Sequence, residues 1–318
     1  MMKKHGLIIH PEELTERMID MLKDTPINVL GIHPVGGASA EASLKRLVEL
    51  ANDEKFAEKL ARVRAFGIKI EYEAHALAYL LPRELFATEP ELFRVNSKGE
   101  RCADYNLCPS NERALSIVSE RAEKLSRILK SDTGRYYFWS DDQKDAFCCC
   151  ERCARLTHSD QAMMIYNAIL RGIRRSEPEA KCCYLAYSDA IEPPKSVMPD
   201  EGIFLEYAPI RRDTTRPLND EGCEVNRKFR SVIAPLIEFF GKTDATALDY
   251  WLDNSLFSGW KKPPKYLEIT PKTVTADKHF YEECGFEAIT TFACYLSDDY
   301  IDLWGTPPIK EYAEALNR

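Results

Sequence analysis

The sequence predicts an α/β fold in which eight parallel strands close a (β/α)8 TIM-type barrel. Three observations predict it. Short aromatic or β-branched runs alternate with longer periodic segments along the whole chain, the pattern of repeated βαβ units. The short runs number eight. Most of them end in polar or aromatic groups, as barrel strands do at the catalytic face. One such barrel accounts for all 318 residues, so residues 1–318 are expected as a single domain.

In chain order, the expected strands are 28–33, 68–73, 135–140, 182–187, 203–207, 247–251, 265–269 and 288–292, and the expected helices are 40–65, 111–129, 161–175, 224–240 and 275–284. Ser110-Asn111 ahead of Glu112 suits a helix N-cap followed by early negative charge. Cys284-Gly285 suits a helix end, because glycine takes the left-handed conformation without a Cβ clash. The interval 75–134 is too long for one loop and one helix. It is expected to hold an excursion over one barrel face, where binding loops collect. A cysteine-rich loop follows at 148–153, and Pro193-Pro194, Pro263-Pro264 and Pro307-Pro308 mark turns.

Composition narrows the function. A net charge of −8 with a pI near 5.5 argues against nucleic acid, since phosphate binding needs concentrated Lys and Arg. The apolar part of the segment from Met1 to Pro11 is shorter than the ~7–15 residues of a signal-peptide core. No apolar run reaches the ~18 residues of a membrane span. A cytoplasmic protein with no membrane partner is therefore expected. Its 11 cysteines, an odd number, are expected as thiols or metal ligands rather than a disulfide framework.

The richest stretch is Tyr136-Tyr-Phe-Trp-Ser-Asp-Asp-Gln143. An aromatic strand runs into two adjacent carboxylates, Asp141 and Asp142, where the chain must leave the core. Other strand ends offer His33, then Glu71, Glu73 and His75, then Tyr187, then Glu206 and Tyr207, then Asp249-Tyr250-Trp251 and Asp253. Any one of these is commonly a satisfied structural residue; their recurrence at strand ends is the signal. Carboxylates beside Trp and Tyr are what a glycosidase needs: one acid protonates the leaving oxygen, a second group serves the anomeric centre, and rings stack on the sugar. Asp142 is the expected acid/base, with Glu206 or Asp141 as its partner. His33, Glu73, His75, Tyr187, Asp249, Tyr250 and Trp251 are the expected sugar-binding groups. Two adjacent acids also permit substrate assistance, in which a 2-acetamido group attacks its own anomeric carbon while one carboxylate orients it. That requires the chain to bend, because successive strand residues face opposite ways.

Cys148, Cys150 and Cys153 form a C-x-C-x-x-C pattern. Thiolates so spaced can wrap a tetrahedral zinc ion if a fourth ligand is supplied. Cys108 is the foremost candidate for it, with Cys102 and His158 also near in sequence; thiols holding no metal are the alternative. A closed four-thiolate site leaves no position for a reacting water, so zinc would be structural and catalysis needs no cofactor.

The motifs also carry a resemblance. His75-Ala-Leu-Ala-Tyr-Leu-Leu-Pro82, Glu89-Pro-Glu-Leu-Phe93, Gly99-Glu-Arg101, Cys108-Pro, Ser140-Asp-Asp, Cys148-x-Cys-x-x-Cys153, Asn167, Leu185-Ala-Tyr-Ser188, Ala208-Pro-Ile-Arg-Arg212, Asn226 with Phe229, and Asp249-Tyr250 occur in this order. Together they resemble the domain of unknown function 4838 family, related to glycoside hydrolase family 163, from about His75 to Gly285. The resemblance implies a (β/α)8 barrel with glycoside hydrolase chemistry, and characterised relatives are endo-β-N-acetylglucosaminidases acting on complex N-glycans. In the family the pair before the cysteines is usually Asn-Asp, so Asp142 matches the recurrent acid and Asp141 departs from the pattern. Active relatives tend to carry a carboxylate after the last strand, whereas Thr290-Thr-Phe-Ala-Cys-Tyr295 offers none before Asp298. Neither the flanking β-rich domains nor the export signal of glycan-degrading members is expected, and on the resemblance that implies small imported oligosaccharides as substrates.

The leading expectation is a glycoside hydrolase acting on a short oligosaccharide that contains N-acetylhexosamine. The competing expectation is a non-catalytic carbohydrate-binding or sensing barrel that has lost one acid. A zinc-dependent hydrolase built on the cysteines stands third.

Overall fold

The computed structural model describes residues 2–318. Its eight strands are β1 (Lys4–Ile9), β2 (Val29–Ile32), β3 (Lys69–His75), β4 (Arg135–Trp139), β5 (Lys181–Ala186), β6 (Ile203–Tyr207), β7 (Thr246–Asp249) and β8 (Ala288–Phe292). They follow one another in sequence order around a closed barrel, with helices in the connections. Every strand pairing that is resolved in register is parallel. This is the (β/α)8 barrel that the alternating runs predict.

One of the eight expected strands is displaced. Residues 265–269 form no strand, and the eighth place is taken by β1, from the short N-terminal apolar run. The reason is local. In the 265–269 segment the Lys265 N–H donates to the Ser258 hydroxyl and the Leu267 N–H to the Tyr300 hydroxyl, so side chains take up donors that a ladder would need. Two long expected helices are each broken in two: 40–65 into Ala40–Leu50 and Glu54–Ala65, and 224–240 into Glu224–Arg230 and Ile233–Phe240. The caps fall where expected. The Asn111 side chain accepts from the N–H groups of Arg113 and Ala114, and Gly285 ends the helix Pro271–Cys284 at φ 102°.

The residues group into two compact units. One comprises the chain up to His33, 54–70 and 206–318; the other comprises Pro34–Asp53 and Glu71–Leu205. In the first, β1 lies between β2 and β8, with Gly6 opposite Val29 and Thr290, and β7 pairs with β8. In the second, β4 pairs with β3 and β5, setting Glu73 beside Tyr137 and His75 beside Trp139. Both faces of these strands are covered, as parallel strands require. Tyr136, Tyr137, Phe138 and Trp139 are all buried in β4, and each such ring contributes on the order of 2–3 kcal/mol through apolar area removed from water. In the second unit the helix Glu112–Ile128 packs on His158–Ile173.

The segment 76–134 links β3 to β4. It consists of short helical turns at Leu77–Leu80, Arg83–Ala87 and Pro90–Leu92, then a bridge between Val95 and Arg101, before the helix Glu112–Ile128.

Candidate active site

Beyond the end of β4 the two aspartates part. Asp141 turns toward the excursion: its Oδ2 accepts from Arg83 at 2.9 Å and from the Asn106 N–H at 2.6 Å. Its own N–H donates to the Asn106 side-chain carbonyl at 2.9 Å. Asn106 can serve both ways because it holds φ 42°, a left-handed conformation that Asn tolerates better than most residues. Its amide also donates to the Ala146 carbonyl, so one side chain clamps both ends of the segment 141–146. Oδ1 of Asp141 is buried without a hydrogen-bond partner among the described residues.

Asp142 faces the other way. Its Oδ1 accepts from the Tyr187 hydroxyl at 2.8 Å. Tyr187 stands one residue past β5, and the carboxylate is half-buried. His75, at the end of β3, donates from Nδ1 to the Ser140 carbonyl at 2.5 Å. The ring also lies 5.1 Å from Trp139, centroid to centroid. Gly36 closes the arrangement: a Cβ built there would sit 2.9 Å from His75 Cδ2, 3.6 Å from its Nε2 and 3.8 Å from Asp142 Oδ2. Only a residue without a side chain lets the backbone come this close to both groups.

The structure thus brings Asp142, Tyr187 and His75 together around Gly36. It corrects the expectation that Asp141 shares a catalytic face with Asp142. Consecutive residues project to opposite sides, and Asp141 is held by Arg83 and Asn106. Glu73 is fully buried within β3, as is Glu71, which accepts from Thr133 at 2.6 Å.

In the other unit, Asp249 and Trp251 also leave their expected sugar-binding roles. Asp249 accepts from Arg212 Nε at 2.8 and 2.9 Å and from the Tyr281 hydroxyl at 2.7 Å. Arg212 also donates to Asp277 at 2.6 Å, and the Trp251 indole donates to Asp277 at 3.0 Å. Arg212, Asp249 and Asp277 have no exposed side-chain surface. Burial opposes charge on Arg212, but its two carboxylate neighbours win and push its pKa up. Burial and the charge of Asp249 push Asp277 up to about 6, against the pull of Arg212. This is a desolvated ion cluster that fixes the backbone after β7, with no lone pair spare for a ligand from Asp249. Nothing local to Arg211-Arg212 in the sequence marks Arg212 as the centre of a buried network.

Tyr250 is buried and stacks on Phe292 at 5.6 Å. His33 lies edge-on to Phe292 at 5.0 Å, and its carbonyl accepts from His10 Nδ1 at 2.8 Å. Glu206 is fully buried in β6. Asp253 caps the short helix Asn254–Phe257 through the Leu256 N–H. A group the sequence left unremarked is Glu13, whose buried carboxylate accepts from the backbone N–H groups of His10 and Tyr295. Burial pushes its pKa up.

Four cysteines of the second unit converge. The sulfurs of Cys108, Cys148, Cys150 and Cys153 all lie within 4.8 Å of one another. Cys102 and His158 are outside the cluster: the Cys102 thiol points to the Glu100 carbonyl, and His158 stacks on Phe147.

No helix among the described residues is long and apolar enough to cross a membrane. No curated protein matches the chain. Solved structures do, at low identity. A glycoside hydrolase family 5 enzyme from Prevotella bryantii B14, in complex with a xyloglucan tetradecasaccharide, aligns with TM-score 0.51 and 9% identity over 96% of this chain and 86% of that one. An endoglucanase aligns with TM-score 0.51 and 11% identity over 98% and 96%. A family 5 xyloglucanase from Bacteroides ovatus aligns with TM-score 0.50 and 10% identity over 95% and 67%. At such identities the likeness is one of fold. A family model described as Domain of unknown function (DUF4838) matches residues 48–234, more than half of the chain. That segment contains Asp142, Tyr187 and the four clustered cysteines, and the chain belongs to the DUF4838 family.

Proposed function

We propose that the protein is a glycoside hydrolase in which Asp142 is the acid/base. The observation that carries this reading is the half-buried Asp142 carboxylate after β4, held by the Tyr187 hydroxyl and flanked by His75. A proton-transfer group must be fixed in orientation yet reachable, and Asp142 meets both conditions where Asp141 does not. In a (β/α)8 barrel the ends of the strands are where catalytic groups gather. The structural neighbours named above act on or bind oligosaccharides, which is consistent with a short glycan as substrate.

The finer assignment is an N-acetylhexosamine-containing oligosaccharide. It rests on the motif resemblance. Eleven free cysteines fit a reducing, cytoplasmic setting. The test is hydrolysis of a panel of fluorogenic β-glycosides by the purified full chain. Release from a β-N-acetylhexosaminide above that from glucosides and xylosides supports the assignment. Release from none of the panel or from natural N-glycan fragments overturns it.

One observation favours a second reading, a barrel that binds glycans without cleaving them. β8 ends in Thr290, Thr291 and Phe292, and the first carboxylate beyond it is Asp298, which opens the helix Asp298–Trp304. Calorimetric binding of a glycan with no product after long incubation would decide for this reading.

A further inference from the structure

We propose that Cys108, Cys148, Cys150 and Cys153 form a tetrathiolate site for one structural zinc ion. The geometry matches. Tetrahedral zinc with Zn–S bonds of ~2.3 Å sets its sulfurs ~3.8 Å apart, and Cys108 Sγ lies 3.7 Å from Cys150 Sγ and 3.8 Å from Cys153 Sγ. No disulfide joins any of the four.

The backbone around the sulfurs is built to hold them. Gln161 grips Cys148 from both sides, accepting from its N–H at 2.9 Å and donating to its carbonyl at 3.0 Å. The Cys149 N–H donates to the Val95 carbonyl at 2.7 Å, and the Val95 N–H returns a hydrogen bond to Cys148 Sγ at 3.3 Å. The Ser110 hydroxyl sits 3.1 Å from Cys153 Sγ and can donate to it as a thiolate. Donors aimed at sulfur offset the negative charge a thiolate brings into a covered site.

A purely apolar role for the cluster is poorly supplied. Its buried members are Cys108, Cys148 and Cys153, joined only by Val95 and Cys150 at the margin. Four thiols and one valine bury little hydrocarbon, yet they are the seam between the excursion and the loop that follows Asp142. A metal joins such segments without a large core. On binding, each cysteine forms one Zn–S bond as a thiolate, its thiol proton passing to solvent. Zn²⁺ and four thiols thus become a dianionic Zn(S-Cys)4 centre and four protons. The coordination shell is full, so the ion binds no substrate. It orders the chain between Asn106, which holds Asp141, and Cys148. The inference stands whether or not the protein cleaves glycans.

The experiment uses the full chain, expressed with zinc supplementation and purified without chelator. Elemental analysis is expected to find about one zinc per chain. Cys108→Ser and Cys153→Ser are expected to lose most of it, while Cys102→Ser and Cys149→Ser retain it. Should the first two variants fail to fold, exchange of the wild-type protein with Co²⁺ gives an independent readout. Intense visible bands and thiolate-to-cobalt charge transfer are expected for a tetrahedral four-sulfur site. Metal content at background in wild-type protein, cobalt spectra of octahedral or nitrogen–oxygen type, or equal zinc loss in Cys149→Ser would each overturn the proposal.

Discussion

The Tyr187 hydroxyl donates to Asp142 Oδ1 at 2.8 Å, which ties the residue after β5 to the carboxylate beyond β4. The contact fixes the rotamer of a half-buried acid without removing it from solvent. Hydrogen bonds to charged groups contribute about 1.5–3 kcal/mol, so Tyr187→Phe is expected to lower turnover by roughly 10- to 100-fold. Near-wild-type thermal stability should accompany the loss. Steady-state kinetics beside a melting curve check both parts.

Gly36 is a second point of control. An added Cβ would meet His75 Cδ2 at 2.9 Å, closer than two carbons normally come. Gly36→Ala is expected to displace the imidazole from its bond to Ser140 and to weaken glycan binding several-fold. Overpacking of this kind costs about 1–3 kcal/mol in stability. Calorimetric titration with the preferred glycan and a denaturant midpoint measure the two effects.

The cluster around Arg212 predicts a large, purely structural effect. Removing the guanidinium leaves Asp249 and Asp277 buried and facing each other, and breaking a buried ion pair in this way costs about 3–5 kcal/mol. Arg212→Met should show that loss in urea unfolding. A change below about 1 kcal/mol would mean that the three groups do not act as a buried unit.

Asp277 gives stability a pH dependence with a definite sign. Burial first, then the charge of Asp249, raises its folded pKa from 3.8 to about 6, despite Arg212. Between about pH 4 and 6 the folded protein retains a proton that the unfolded chain has released. This group's contribution is therefore fully present below about pH 4, falls as pH rises, and is lost above about pH 6, on the order of 1–3 kcal/mol in all. Unfolding free energies of wild type and Asp277→Asn across that window should diverge accordingly, the variant lacking this slope.

The barrel was legible in the sequence because strand and helix periodicities alternate strongly. The one misplaced strand shows the limit of that signal. Residues 265–269 have strand-like composition, but the Ser258 and Tyr300 hydroxyls take their N–H groups, a tertiary fact no local pattern carries. Around the site, Asp142, Tyr187 and His75 were readable as strand-end residues, whereas the divergence of Asp141 depends on Arg83 and Asn106, distant in sequence. Asp249 and Trp251 misled for a related reason: a carboxylate beside an indole reads as a sugar platform until Arg212 and Asp277 are seen to occupy it. Gly36 carried no motif at all. Its importance lies in one close approach to His75.

The central claim is that Asp142 transfers the proton in glycoside cleavage, and the direct measurement is turnover by Asp142→Asn on whichever glycoside the wild-type protein hydrolyses. With folding and binding preserved, the account predicts a fall of at least ~10²-fold, the usual contribution of general acid–base catalysis. Unchanged turnover in a folded Asp142→Asn protein would contradict it.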